Sequence, residues 1–132
     1  MKKFISLILL ICTLSMCLAS CASLKSFDRH LGRDYRTHTF DDDEIEDLAE
    51  SFDIDVDDFG VKVVVQAKDR DKGYYAYIIK CKSRRKAKEL ASQLEDVADL
   101  LEKNYYYDVD VVAKGKYVLI GHEDVVDDAL NK

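Results

Sequence analysis

The chain has 132 residues, with 26 acidic and 20 basic side chains, a formal net charge of −6, five glycines and no proline. This length fits one small domain rather than two, and the scarcity of glycine and proline argues against long linkers of the usual composition. The acidic balance argues against a general binder of nucleic acid, because such proteins neutralise phosphates with lysine and arginine.

The first 20 residues have the layout of a secretory signal peptide. Lys2 and Lys3 form a positive n-region, and an apolar stretch follows from Phe4 to Ala19. That layout is typical of a cleaved leader, and the stretch is shorter than the roughly 20 apolar residues that a membrane-spanning helix usually needs. We therefore expect residues 1–20 to be removed, which leaves a mature chain with eight more acidic than basic residues.

Residues 18–21 read Leu-Ala-Ser-Cys, and this run resembles the bacterial lipobox. The resemblance implies that Cys21 is acylated and becomes the first residue of the mature protein. A diacylglyceryl cysteine carries at least two chains, and two chains hold a protein to a bilayer far more firmly than one. We therefore expect a lipid-anchored protein on the extracytoplasmic face of the cell membrane. The whole chain also resembles small lipoproteins of Gram-positive bacteria, which implies location and not activity.

Residues 21–40 predict a membrane-proximal tether. They have mixed charge and little apolar periodicity, and a flexible coil of about 20 residues would span about 25 Å. A partly helical tether is the alternative. His30 and His38 lie in this stretch without a third ligand nearby, so we expect no metal there and no cofactor elsewhere.

Residues 41–132 predict a single α+β domain with the element order α-β-β-α-β-β-α. Apolar spacing of three and four residues predicts helices at 42–53, 84–103 and 123–130. Alternating runs predict two hairpins, one from strands 61–68 and 74–81 and one from strands 105–113 and 117–121. Two hairpins favour a four-stranded antiparallel sheet with the helices packed on one face.

The loop 53–60 places aspartates at the first, third and fifth positions, as an EF-hand does. However, Asp58 stands where that loop needs glycine and Val64 stands where it needs a bidentate glutamate. We therefore expect an acidic connection. The helix at 84–103 begins with basic residues and ends with acidic ones, against the helix dipole. The acidic stretch 41–58 is the nearest source of compensation, and an anionic partner is the alternative.

Seven of the eight tyrosines fall in or beside predicted strands. Alternation turns some of them away from the helices. Such a tyrosine surface beside Lys80, Lys82, Arg84 and Arg85 suits peptide, glycan or a single nucleic-acid strand, of which the nucleic acid is disfavoured by the expected location at the cell surface. The predicted ligand surface comprises Tyr74, Tyr75, Tyr77, Tyr106, Tyr117, Arg84 and Arg85. Ordinary strand propensity with partial burial is the alternative explanation.

Residues 75–130 have the order strand, helix, strand, strand, helix. With Ala87 in the helix and Gly-Lys-Tyr-Val-Leu-Ile-Gly at 115–121, this segment resembles SPOR domains, which bind denuded peptidoglycan. The resemblance implies peptidoglycan or glycan binding through a tyrosine-rich sheet face. The segment departs from that pattern because the usual Gln and Gly are replaced around 78–82 and no final strand follows.

The sequence contains no glycine-rich phosphate loop, no His-x-x-x-His pair and no nucleophile elbow. Cys81 is alone once Cys21 carries lipid, so no intramolecular disulfide is expected, and its strand alternation indicates a core position. His122 is predicted to cap the last helix. We therefore expect a non-enzymatic binding domain with an envelope protein or the cell wall as partner and no nucleic acid. A small envelope hydrolase or redox protein using Cys81 is the alternative.

Overall fold

The computed structural model describes residues 23–105 and 107–132. The predicted leader 1–20, the predicted acylation residue Cys21 and Tyr106 lie outside the described residues. The helices are α1 (Leu24–Leu31), α2 (Asp42–Phe52), α3 (Val56–Phe59), α4 (Arg84–Tyr105) and α5 (Glu123–Leu130), with a 3-10 turn at Gly32–Asp34. The strands are β1 (Tyr35–Thr39), β2 (Val63–Asp69), β3 (Tyr75–Lys80), β4 (Val109–Lys114) and β5 (Tyr117–His122).

The strands form one antiparallel sheet in the order β1-β2-β3-β5-β4. The α+β class and both predicted hairpins, β2–β3 and β4–β5, are confirmed. The predicted four strands become five, because β1 pairs with β2 from Tyr35 opposite Asp69 to Thr39 opposite Val65. The two hairpins meet where β3 pairs with β5.

One face of the sheet is covered by α1 and α5. Phe27 of α1 is 1% exposed and meets the Tyr117 ring edge-on at 5.3 Å. His30 Nδ1 lies 2.8 Å from the Ala129 carbonyl oxygen of α5. The buried residues of this first core are Phe27, Leu31, Tyr35, Val65, Ala67, Ala76, Ile78, Tyr117, Leu119, Val125, Val126, Ala129 and Leu130.

The other face is covered by α2, α3 and α4. The buried residues of this second core are Ile45, Phe52, Phe59, Val64, Ile79, Cys81, Ala87, Leu90, Leu94, Ala98, Val109, Val118 and Ile120. The prediction that all helices pack on one face is therefore corrected to helices on both faces. The physical reason lies in the central strands: consecutive side chains such as Ile78 and Ile79 point to opposite faces, and both are 1% exposed.

Residues 24–39, expected as a tether, form α1, a 3-10 turn and edge strand β1. A capping box starts α1, in which the Ser23 side chain accepts from the Ser26 N–H and the Ser26 side chain accepts from the Ser23 N–H. This arrangement satisfies two of the free amides at the helix start. The folded domain therefore extends back to residue 23, and the expected boundary at 41 lies inside it.

The connection at 53–60 contains α3, a single turn that was not predicted. The Asp55 carboxylate accepts hydrogen bonds from the Asp57 and Asp58 N–H groups and so caps this turn. The Lys86 ammonium at the start of α4 lies 3.8 Å from Asp58. This ion pair confirms that the acidic stretch 41–58 compensates part of the basic charge at the positive end of α4.

Gly121 marks the closest approach between β3 and β5. Its φ is +156°, and an added Cβ would lie 2.3 Å from the Ala76 Cα and 2.5 Å from the Tyr75 carbonyl oxygen. Since carbon atoms in contact sit about 3.5–4.0 Å apart, no side chain fits here without moving the backbone. This glycine lets β5 lie close beside the strand that carries the tyrosines.

Candidate functional site

An apolar cleft lies between α2 and α4 over β3 and β5. It encloses about 310 Å³. We call it the tyrosine cleft. Its principal lining residues are Leu48, Phe52, Tyr75, Tyr77, Leu101 and Tyr107.

The floor of the tyrosine cleft comes from β3. Tyr75 and Tyr77 are two residues apart, so strand alternation places both side chains on the α4 face, and their rings meet edge-on at 5.5 Å. The Tyr77 ring also packs edge-on against Phe40 and Phe52, at 5.8 Å in each case. These edge-to-face contacts fix the ring orientations and give the cleft a preformed floor.

One wall of the cleft is the second half of α4. Val97 and Leu101 pack against the second core, whereas Leu100 on the rim is 62% exposed. A large apolar side chain held in water next to an apolar cleft enlarges the surface that a ligand could cover. Sequence reasoning missed Leu100, although it is the apolar residue of α4 that falls outside the repeating apolar face.

The opposite wall is α2, and it brings negative charge. A second, more open recess of about 280 Å³ adjoins the tyrosine cleft and shares Leu48, Ser51 and Tyr77 with it, and it is also lined by Glu44 and Asp47. The Glu44 carboxylate lies 2.8 Å from His38 Nε2. The combined groove is therefore apolar along its floor and acidic at one end.

The predicted ligand surface is divided by the fold. Tyr75 and Tyr77 line the cleft together. Tyr74 instead stacks on the His122 ring with a centroid distance of 3.8 Å, and Tyr117 is 6% exposed inside the first core.

Arg84 and Arg85 begin α4, at the end of that helix away from the cleft. The structure therefore joins only two of the predicted tyrosines into one site, since Tyr106 lies outside the described residues. The sheet offers no open tyrosine-rich face within residues 23–105 and 107–132, because helices cover both faces.

Cys81 lies in the second core and is 2% exposed. Burial raises the pKa of its thiol to about 11, so little thiolate is present near neutral pH. His122 caps α5 as predicted, since its Nδ1 accepts from the Asp124 N–H. Six residue positions of β3–β5 pairing separate the two side chains, which corresponds to about 20 Å along the strands. The geometry does not bring them together as a nucleophile and base.

Across the described ranges, no three His, Cys, Asp or Glu side chains lie in an arrangement that could hold a metal ion. None of the described helices combines the length and apolar character needed to cross a bilayer. Comparison of this chain with family models, with curated proteins and with solved structures finds no match.

Proposed function

We propose that this chain is a lipid-anchored extracytoplasmic lipoprotein whose domain binds its ligand without enzymatic chemistry. The leader and the Leu-Ala-Ser-Cys run at 18–21 support the anchor at Cys21. The single observation that carries the binding role is the tyrosine cleft, with its preformed aromatic floor and about 310 Å³ of space. That volume falls at the lower end of the range for small-ligand sites, about 300–1,000 Å³.

The chemistry of the groove defines the ligand class. Its floor and α4 wall are apolar, and its open end carries the carboxylates of Glu44 and Asp47. Apolar contact supplies most of the affinity of such a site, and a complementary charge fixes orientation. The ligand is therefore a short segment with apolar side chains and a positive charge, as in a peptide or envelope protein that carries leucine and lysine.

A titration with short peptides tests the binding role. The mature acylated protein is placed in phosphatidylcholine nanodiscs, and tyrosine fluorescence reports binding because the chain has eight tyrosines and no tryptophan. Burying two leucine side chains contributes about 3–6 kcal/mol, so acetyl-Leu-Lys-Leu-amide should bind with a dissociation constant on the order of 1 mM. Acetyl-Leu-Glu-Leu-amide should bind at least about fivefold more weakly than the lysine peptide, because its carboxylate meets the acidic end of the groove. Equal affinity for the two peptides, or no saturable signal with either, would refute the proposed ligand class.

Two variants with matched controls locate the site. Leu100→Gln removes an exposed apolar contact on the rim and should weaken binding of the Leu-Lys-Leu peptide about fivefold. Ser92→Gln, also at an exposed position of α4, should leave the affinity unchanged. Asp47→Asn should reduce the preference for lysine over glutamate, whereas Glu46→Gln on the same helix should leave it unchanged. If control and test variants behave alike, the peptide binds elsewhere.

The geometry gives less support to the two alternative functions that the sequence suggested, glycan binding and chemistry at Cys81. Glycan binding through a tyrosine-rich sheet face needs an open face, and helices cover both faces in the described residues. Redox or hydrolytic chemistry at Cys81 needs an accessible thiolate, and this thiol is buried with a raised pKa. Mass spectrometry of the mature protein tests the anchor directly, and an unmodified thiol at Cys21 would refute it.

A further inference from the structure

The chain enters the described domain at one end of the sheet, and the position of Leu24 identifies that end. Leu24 packs against the first core, and its backbone hydrogen-bonds to the Tyr117 side chain. Tyr117 begins β5, where it pairs with Lys80 at the end of β3 and with Lys114 at the end of β4. The start of α1 therefore lies at the end of the sheet where β3 and β4 finish and β5 begins.

Lysines are concentrated at this end. The Lys80 ammonium lies 6.0 Å from the centre of the Tyr117 ring, and the Lys116 carbonyl, one residue earlier, accepts from the Cys81 N–H. Four of these lysines are exposed and Lys80 is half-buried. We call this set the basal lysines: Lys25, Lys80, Lys82, Lys114 and Lys116.

The start of α4 extends the same positive surface. Arg84 and Lys88 line a shallow recess together with Ala113 and Gly115 of the β4–β5 turn. Acidic residues also occur at this end, in α3 and at the start of α2. They lie on the second face of the sheet, which the start of α4 also covers, whereas Leu24 and Lys25 belong to α1 on the first face. The surface that Lys25, Lys114 and Lys116 form beside Leu24 is therefore basic although the whole chain is acidic.

The opposite end of the sheet is acidic. Asp108, Asp110 and Glu123 lie there. The pKa values of Asp110 and of Glu123 are raised above their usual range. Burial is the first cause for Asp110, and the charge of Asp110 is the first cause for Glu123. The second half of α4 points to the same end and carries Glu95, Asp96, Asp99 and Glu102. The domain is thus electrostatically polar along the strand direction, with its positive end at the entry of the chain.

Chain length then determines which end faces a membrane. If Cys21 carries the acyl chains, two residues lie between it and Leu24, and the three Cα–Cα steps span at most about 11 Å when fully extended. The end of the domain that carries Leu24 must therefore sit within about 11 Å of the Cys21 Cα, whose side chain would carry the lipid. A surface of lysines at that distance from anionic headgroups is attracted within the Debye length of about 8–10 Å.

We propose that the basal lysines dock the domain onto anionic lipid headgroups and hold it upright on its anchor. This inference rests on the proposed lipid attachment at Cys21. In the docked orientation the tyrosine cleft points away from the bilayer, because Tyr75, Leu101 and Val109 lie toward the acidic end. Docking thus keeps the ligand site open to the envelope while the short connection prevents the domain from diffusing away.

Energy transfer to labelled lipid measures the orientation. The mature acylated protein with Asp99→Cys carries a donor dye on the acidic half of α4, and buried Cys81 stays unlabelled. Nanodiscs contain an acceptor-labelled lipid in either pure phosphatidylcholine or a 3:7 mixture of phosphatidylglycerol and phosphatidylcholine. Docking places the dye far from the bilayer. Transfer should therefore be lower in the phosphatidylglycerol discs, and about 0.5 M NaCl should remove that difference.

Charge reversal with a matched control isolates the basal lysines. The triple variant Lys25/Lys114/Lys116→Glu should weaken docking by about a hundredfold or more, since each basic residue near an anionic surface contributes roughly fivefold, and transfer should rise to the level seen in phosphatidylcholine. The control Lys68/Arg70/Lys72→Glu makes the same change in net charge at the opposite end of the sheet and should leave transfer low.

Equal transfer in both lipids, or equal behaviour of the two triple variants, would overturn the docking proposal. Mass spectrometry of the same samples separates this result from a failure of the anchor. A missing acyl group at Cys21 would refute the proposed lipoprotein itself. An acylated Cys21 with transfer that ignores lipid charge would refute only the docking surface, and peptide binding in the cleft would be unaffected by either triple variant.

Discussion

Replacing Phe27 by alanine tests whether the residues before 41 belong to the fold. Phe27 is 1% exposed, lies among the buried side chains of α1 and α5, and contacts the Tyr117 ring edge-on. Truncating a buried phenylalanine to alanine costs about 3–5 kcal/mol, from lost transfer energy and from the cavity left behind. If these residues formed a flexible tether instead, Phe27→Ala would not change the free energy of unfolding.

Thermal unfolding of the mature protein, followed by circular dichroism, measures this loss. For a domain of this size about 1 kcal/mol corresponds to roughly 4 °C, so Phe27→Ala should lower the melting temperature by about 12–20 °C. The control is Arg29→Ala, an exposed position on the same helix, which should change stability by no more than about 0.5 kcal/mol. If Phe27→Ala unfolds within about 2 °C of the unmodified chain, α1 does not pack on the sheet and the folded domain begins later.

Three further experiments test other parts of the fold. Gly121→Ala should lower the free energy of unfolding by about 1–3 kcal/mol more than Gly32→Ala. Both glycines have positive φ, but only at Gly121 would the new Cβ meet backbone atoms; equal losses in urea unfolding would contradict the clash. Tyr35→Phe should lose about 1–2 kcal/mol at pH 7, because it removes a 2.5 Å hydrogen bond to an α5 carboxylate. Burial and that bond raise the pKa of Tyr35 above its ordinary value near 10, so its contribution is complete below pH 10 and is lost as pH rises further. Unfolding curves from pH 8 to 11 should therefore fall more steeply for the unmodified chain than for Tyr35→Phe. Cys81 should resist iodoacetamide at pH 7 until urea unfolds the domain, and rapid labelling of the folded protein would contradict its burial.

The hairpins and long helices could be predicted because each carries a strong local pattern. β2 places Val63, Val65 and Ala67 on one face and the polar Gln66 and Lys68 on the other, and α4 repeats its apolar residues at helical spacing. β1 has no such pattern, since four of its five residues are exposed on the sheet edge, and only pairing with β2 defines it. α1 did leave a signal that was missed: Leu24, Phe27 and Leu31 share one helix face after the capping serine at position 23.

The covering of both sheet faces has its signal in β5. All six of its residues are buried, and a continuous apolar run such as residues 117–120 is typical of a strand covered on both sides. The prediction instead followed the tendency of two hairpins to form an antiparallel sheet with one covered face. The same error affected the candidate site. Alternation correctly placed Tyr75 and Tyr77 on one face, but Tyr117 could not be exposed once α1 covered the other.

The proposed docking surface would account for the basic charges at the start of α4. Basic residues in the first helical turn oppose the dipole at about 0.3–1 kcal/mol each. Lys86 is compensated, because its ammonium lies 3.4 Å from Glu89 and 3.8 Å from Asp58. Arg85 meets Glu89 at 3.7 Å with its side chain 80% exposed, and such surface pairs contribute little. Lys88 is exposed beside the recess of the β4–β5 turn. Packing within the domain thus offsets the charge of Lys86, whereas the exposed Lys88 extends the positive surface at the β4–β5 turn. An anionic bilayer at the proposed docking surface would stabilise that charge.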